Sequence, residues 1–188
     1  MREKASQKQK LESILMKFYS GFSLKNESYL FENYLNSSEY CISGFSYGAI
    51  KAYEEAKKQV ANGNRIDTLQ LFSPAFFQTK EESFKRLQLL AYRKNEDVYL
   101  RQFINSCFSP HANKTIERSI TTIDELDELL NYKWSLDGLE KLLQKGVNIE
   151  VYIGSEDAVI DTQKAREFFL KVATVTYIKN ANHFLQTN

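Results

Sequence analysis

The sequence predicts an α/β fold: a mostly parallel sheet with helices on both faces and a helical lid insertion at about 80–145. Three observations lead there. Short apolar runs alternate with helically spaced segments, as a parallel sheet with crossover helices demands. One of those runs ends in Gly44-Phe45-Ser46-Tyr47-Gly48 and opens directly into a helical pattern. A long helical stretch then separates two further strand patterns.

In chain order, a strand at about 17–20 runs into Gly21-Phe22-Ser23. Glu27 to Leu35 follows with Tyr29, Leu30, Tyr34 and Leu35 at helical spacing. A strand at 39–43 meets the glycine-flanked serine, and the helix from Tyr47 to about Ala61 is closed by Gly63 as a C′ residue. The next strand, at 66–72, stops at Ser73-Pro74. From 80 to about 145 the pattern is helical throughout, and the rest returns to strand (148–153), helix and strand (174–178).

With 188 residues and 43% apolar content the chain suffices for one domain and one core. A net charge of +1 gives no bulk attraction to nucleic acid or to a membrane surface. Two cysteines, Cys41 and Cys107, are few, and Cys41 reads as a small buried apolar residue in a strand. The basic start is followed by no signal-like apolar region, and no run approaches membrane-spanning length, so a cytoplasmic, reduced setting is expected. Residues 1–15 either extend as a helix, with Leu11, Ile14 and Leu15 helically spaced, or lie upstream of a true start at Met16. The second is the expectation, with one domain over 16–188.

A strand, a G-x-S-x-G turn and a helix describe a nucleophile elbow, in which the serine backbone is strained and its Oγ is projected from the sheet. Acid and histidine then follow in the order of a reduced α/β-hydrolase fold. Asp157 leaves the strand Asn148–Ile153, and His183 follows the strand-like run 174–178. Both stand just past strands, where open α/β sheets carry their sites. Glu156 and Asp161 are rivals for the acid, although Asp161 precedes Thr162-Gln163-Lys164-Ala165 and reads as an N-cap. The other histidine, His111, lies in an irregular stretch after Pro110.

These residues imply a serine hydrolase. Ser46 Oγ attacks an acyl carbonyl, His183 takes the proton, and Asp157 orients and stabilises the imidazolium. The oxyanion needs backbone donors: the N–H of Tyr47, and that of Phe22 in the loop after the first strand, where Gly21-Phe22 stands in place of a His-Gly pair. Such a donor contributes about 3 kcal/mol of transition-state stabilisation. No clustered His/Cys set suggests zinc, and no Walker or G-x-G-x-x-G pattern suggests a nucleotide, so neither metal nor cofactor is expected.

The insertion is aromatic and apolar, with Phe84, Leu87, Leu89, Leu90, Tyr92, Tyr99, Leu100, Phe103, Ile104 and Phe108. Some of these are expected to line an apolar channel above Ser46 suited to an acyl chain. Basic residues outnumber acids between 80 and 118, which suits docking of an acidic carrier protein.

From about Met16 onward the chain resembles the pimeloyl-acyl-carrier-protein methyl ester esterases of biotin synthesis, and most the BioV type. The resemblance rests on Lys17-Phe18-Tyr19-Ser20-Gly21-Phe22, Ile42-Ser43-Gly44-Phe45-Ser46-Tyr47-Gly48 and Leu71-Phe72-Ser73-Pro74-Ala75-Phe76-Phe77. It implies hydrolysis of the methyl ester of pimeloyl-carrier protein, with the acyl-carrier protein as partner. It also implies Ser46, Asp157 and His183 as triad, Phe22 and Tyr47 at the oxyanion hole, Arg101 at the carrier and Phe103 facing the acyl chain. Two departures stand out. Standard relatives of this fold have two strands before the oxyanion loop, for which there is no room after Met16, and Ser23 replaces a glycine often found in that loop.

Overall fold

The computed structural model describes residues 17–188, so the expectations for residues 1–15 and for Met16 fall outside the described residues. Five strands form one wholly parallel sheet in the order β1 (Lys17–Tyr19), β3 (Cys41–Phe45), β4 (Thr68–Phe72), β6 (Asn148–Gly154) and β7 (Thr174–Ile178). Every residue of β3 and β4 is buried, as the two-sided cover of a parallel sheet requires. Among the described residues no strand lies outside β1, so the sheet begins at the strand that leads into the Gly21 loop.

The two faces follow from the period of two. Ile42, Leu69, Leu71, Ile149, Val151 and Ile153 enter one core with α1 (Tyr47–Ala61), which also takes Leu139 and Leu142 from a later helix, α5 (Leu136–Gln144), and Phe169 from α6 (Thr162–Phe169). Phe45, Phe72 and Tyr152 point the other way, into a smaller cluster with Phe31, Phe108 and Phe184. That face has thinner cover: a 3₁₀ turn (Glu27–Phe31), the end of α3 (Glu96–Phe108) and the C-terminal segment.

The helix expected over 27–35 is therefore a correction. Only Glu27–Phe31 forms a helix, and as 3₁₀, after which Tyr34 N and Leu35 N each donate to Phe31 O in a closing turn at 2.8 and 3.0 Å. The chain leaves the helix because Gln70, buried in the middle of β4, takes over its backbone. Gln70 Nε2 donates to Tyr34 O at 2.9 Å and its Oε1 accepts from Asn36 N at 2.9 Å. Phe31 meanwhile stacks on Phe72 at 5.0 Å and lies 4.9 Å from Phe45.

Between β4 and β6 the insertion holds α2 (Glu82–Lys94), α3, α4 (Ile123–Asn131) and α5. It is not helical throughout. Asn95 separates α2 from α3 and caps the latter, its side chain accepting from Val98 N at 3.0 Å. After α3 the segment around Pro110, which lacks the N–H a helix needs, runs irregularly. Within it β5 (Glu117–Arg118) pairs antiparallel with β2 (Leu24–Lys25), a small second sheet that the sequence pattern did not reveal. Thr122 then starts α4 with a capping box to Glu125.

Trp134 joins the insertion to the sheet. Its Nε1 donates to Ala75 O at 2.8 Å, and its ring lies 5.1 Å from Phe169 and 5.4 Å from Tyr53. Trp134→Phe should keep the ring contacts but leave a buried carbonyl without its donor. The expected loss is about 1–3 kcal/mol in chemical denaturation, with an unchanged far-ultraviolet circular dichroism spectrum.

Candidate active site

Ser46 stands between β3 and α1 with φ 53° and ψ −113°, a conformation that costs of order 1–3 kcal/mol for a non-glycine residue. The surroundings enforce it. Ser46 N donates to Phe72 O at 2.9 Å, continuing the sheet, while Ser46 O accepts from Ala49 N at 3.1 Å and from Ala75 N at 3.2 Å. The flanking glycines are required by close approach. A Cβ on Gly44 would lie 2.1 Å from Gly48 O, and one on Gly48 would lie 1.9 Å from Tyr19 O.

Asp157 and His183 come from two loops that touch. The turn after β6 packs so tightly on the loop after β7 that a Cβ on Gly154 would lie 2.3 Å from Ala181 O. Ser155 N donates to Ile178 O at 2.9 Å, and Glu156 N to Ala181 O at 2.8 Å. The histidine loop is further closed by Gln186 N donating to Asn182 Oδ1 at 3.0 Å, and by Asn182 Nδ2 donating to Phe108 O at 2.7 Å.

The structure brings three of the sequence-selected residues into one hydrogen-bonded line. His183 Nε2 lies 3.0 Å from Ser46 Oγ, and His183 Nδ1 lies 2.5 Å from Asp157 Oδ2. Asp157 Oδ1 accepts from Val159 N at 2.8 Å and from Ile160 N at 3.2 Å. With Nδ1–H held by the carboxylate, the network assigns Nε2 as the acceptor facing the serine hydroxyl. The imidazole is wholly buried and lies 4.9 Å from the Phe45 ring. Of the rival acids, Glu156 is exposed, and Asp161 caps α6 by accepting from Lys164 N at 3.1 Å. His111 stands apart, its Nε2 2.8 Å from Asn180 O.

Tyr47 opens α1, so its N–H has no intrahelical acceptor. Phe22 sits in a turn closed by Leu24 N donating to Gly21 O at 3.1 Å. Among the described residues neither N–H meets a protein acceptor. The side chains of both reach into the insertion. The Phe22 ring is 6.2 Å from that of Tyr47 and 6.3 Å from that of Phe103, and Tyr47 Oη donates to Glu128 Oε2 at 2.7 Å. Burial first, and Glu128 next, push the Tyr47 phenol up.

A cavity of about 220 Å³ opens between the insertion and the loop after β6, lined by Phe22, Phe103 and Leu129 and, next to Asp157, by Ala158 and Val159. Phe103 thus lines this cavity against the Phe22 ring, while Ser46 and His183 are not among its walls. Arg101 does not line it: it lies exposed on α3, its Nε donating to Asp97 O at 3.3 Å. Burial pushes the Cys41 thiol up to about 12 and raises Cys107 as well, so neither supplies a ready thiolate. Among the described residues no group of His, Cys, Asp and Glu could hold a metal ion, and no helix is long and apolar enough to cross a membrane.

One residue that sequence reasoning took only as a helix start bears directly on the site. Glu27 is wholly buried, and its Oε1 accepts from Gly21 N at 2.7 Å, tethering the loop that presents Phe22. In the sequence it is only an acid four residues past Ser23, between Asn26 and Ser28, which sequence alone does not distinguish from a solvated helix start. Burial outweighs the hydrogen bonds and raises its pKa above the ordinary 4.5. A raised folded-state value favours the protonated fold. Stability from this group is therefore complete below 4.5 and is lost as pH rises through the folded value. Glu27→Gln, which keeps an acceptor for Gly21 N–H, should abolish that part of the pH dependence, measured by urea midpoints between acid and neutral pH.

No family model and no curated protein matches the sequence significantly. Solved structures do match in fold. BioG from Haemophilus influenzae superposes with a TM-score of 0.53 at 13% identity, covering 89% of this chain and 87% of that one. Est816, described as an N-acyl homoserine lactone degrading enzyme, gives a TM-score of 0.51 at 10% identity over 78% of this chain. The carboxylesterase CesB of Bacillus subtilis is similar at 15% identity and a TM-score of 0.47 over 78% of this chain. The chain spans 61% of the length of Est816 and 54% of CesB.

Proposed function

We propose that this chain, which has the α/β-hydrolase fold, is a serine carboxylesterase, and that its substrate is the methyl ester of pimeloyl-acyl-carrier protein. The observation that carries the esterase reading is the line Asp157–His183–Ser46, with contacts of 2.5 and 3.0 Å, near the Tyr47 and Phe22 N–H groups, which meet no acceptor among the described residues. That arrangement can take a proton from Ser46 as it attacks, hold the imidazolium against Asp157, and receive an oxyanion at Phe22 and Tyr47. His183 then returns the proton to the departing methanol, and water repeats the cycle on the acyl-enzyme.

The substrate reading rests on the sequence resemblance, on the apolar cavity and on charge. In a methyl pimeloyl chain the distal ester would meet Ser46 while the thioester end remained with the carrier. The cavity walls from Phe22, Phe103 and Leu129 suit the methylene chain between them. Basic residues such as Arg86, Arg93, Lys94 and Arg101 stand exposed on α2 and α3, where an acidic carrier could dock. The reading with a general short-acyl ester as substrate needs only the cavity.

Ser46→Ala should abolish hydrolysis of any ester while leaving the melting temperature nearly unchanged. Asp157→Asn should cut turnover by orders of magnitude, as much as about 10⁴ in a well-studied triad, and Asp161→Asn should be mild. If Asp161 proves the crippling position, the acid is misassigned.

With methyl pimeloyl-carrier protein, product analysis should show methanol and the free distal carboxylate with the thioester intact. That reaction should weaken as salt shortens the Debye length to about 8 Å near 0.15 M, whereas a nitrophenyl ester should respond little. Arg101→Glu should raise KM for the carrier substrate far more than for the small ester. Equal responses would favour the general esterase.

A further inference from the structure

Ser23, directly after Phe22, has a left-handed backbone with φ 58° and a side chain without solvent exposure. Glycine takes that conformation freely, but serine does not, so the turn needs support from outside itself. The support comes from the insertion. Ser23 Oγ is hydrogen-bonded to Thr121 Oγ1. Ser119 N donates to Ser23 O at 3.0 Å, and Ser119 Oγ donates to Leu24 O at 3.1 Å. The β2–β5 pairing, Leu24 opposite Arg118 and Lys25 opposite Glu117, continues the seam.

Thr121 is itself held from behind. Its carbonyl accepts from Tyr92 Oη at 3.0 Å, and the Tyr92 ring lies 6.1 Å from that of Phe22. At the other end of the turn Glu27 holds Gly21 N–H at 2.7 Å. The Phe22 N–H is therefore the middle of a turn fixed at both ends, and one of the two fastenings belongs to the insertion.

We propose that Thr121 is a positioning residue of the oxyanion hole: its hydroxyl holds Ser23 in the positive-φ conformation and so keeps the Phe22 N–H aimed at the reacting carbonyl. This rests on the reading of Phe22 as an oxyanion donor. It also makes the segment 117–121 a fixed buttress of the site, and it explains how a serine serves where relatives often have glycine.

The test compares Thr121→Val, Thr121→Ser and Thr121→Val in a Ser23→Gly background, by amide hydrogen exchange over residues 20–25 and by kcat and KM on a nitrophenyl acyl ester. Loss of the hydroxyl pair should speed exchange at 21–24 and lower kcat, each about tenfold, with KM nearly unchanged. Thr121→Ser should restore both. In the Ser23→Gly background, where the turn no longer needs the hydroxyl, Thr121→Val should add less than about twofold. Thr121→Ala gives the same reading if the valine variant does not fold. Exchange and kcat at wild-type values in Thr121→Val, or an equal loss in the Ser23→Gly background, would overturn the proposal. Should the wild-type protein hydrolyse no ester, the esterase reading fails, and the exchange measurements still decide whether Thr121 holds the turn.

Discussion

The carbonyl oxygen of Tyr19 occupies the space in which residue 48 would carry a Cβ, and much of the site depends on that contact. It lets α1 start directly against the end of β1, which itself pairs with β3. Gly44 meets Gly48 O in the same way, which bends the chain sharply enough to give Ser46 its φ of 53°. Gly154 repeats the device on the other side, bringing the turn after β6 against Ala181 O and hence Asp157 against His183. At each point a missing side chain allows backbone to approach backbone, and the hydrogen-bonded line Asp157–His183–Ser46 follows from those approaches.

Below the site, the thinly covered face of the sheet is filled by rings in place of a layer of helices. Phe184, next in sequence to His183, lies 4.9 Å from Phe45 and 4.4 Å from Phe108. Phe31 bridges Phe45 and Phe72. Large rings cover much apolar area with few torsions to order, an economical way for a small sheet to close a face. Deeper on that face the contacts turn polar. Gln70 Nε2 donates to Glu150 Oε2 at 2.8 Å, and Tyr152 Oη donates to the same oxygen at 3.0 Å. Burial and Glu150 together raise Tyr152 to about 12, so the phenol stays a proton donor.

The insertion is bound to α1 by more than apolar packing. Along α4 and just past its end, Glu125, Glu128 and Tyr132 reach Lys51, Tyr47 and Glu54 of α1, at 3.3, 2.7 and 2.6 Å. Exposed pairs such as Lys51–Glu125 contribute little individually, about 0–1 kcal/mol. The part-buried Tyr47–Glu128 bond matters more, because Tyr47 directly follows Ser46 and its N–H is one of the two proposed oxyanion donors. Both residues proposed for the oxyanion hole are thus anchored by side chains in the insertion, Tyr47 on Glu128 and Phe22 among Tyr92 and Phe103. The cavity wall and the Phe22 turn form one packed unit.

What the sequence determined by itself was whatever depends on near neighbours. Gly44-Phe45-Ser46-Tyr47-Gly48 encodes its turn within five residues, and the apolar runs of β3, β4 and β6 encode a buried parallel sheet, because period and turn chemistry are local properties. The aromatic content of α2 and α3 likewise announced an apolar insertion. Tertiary structure decided the rest. Which acid faces His183 depends on a turn in which Glu156 points to solvent and Asp157 inward, and a shift of one residue in β6 would have exchanged them. The helix after Ser23 gave way to a 3₁₀ turn because Gln70, far along the chain, offered its backbone other partners. Glu27 and Thr121 carry no local mark at all. Their bearing on the Phe22 turn arises from contacts across the fold, and the burial that gives such contacts their strength exists only once the chain has closed.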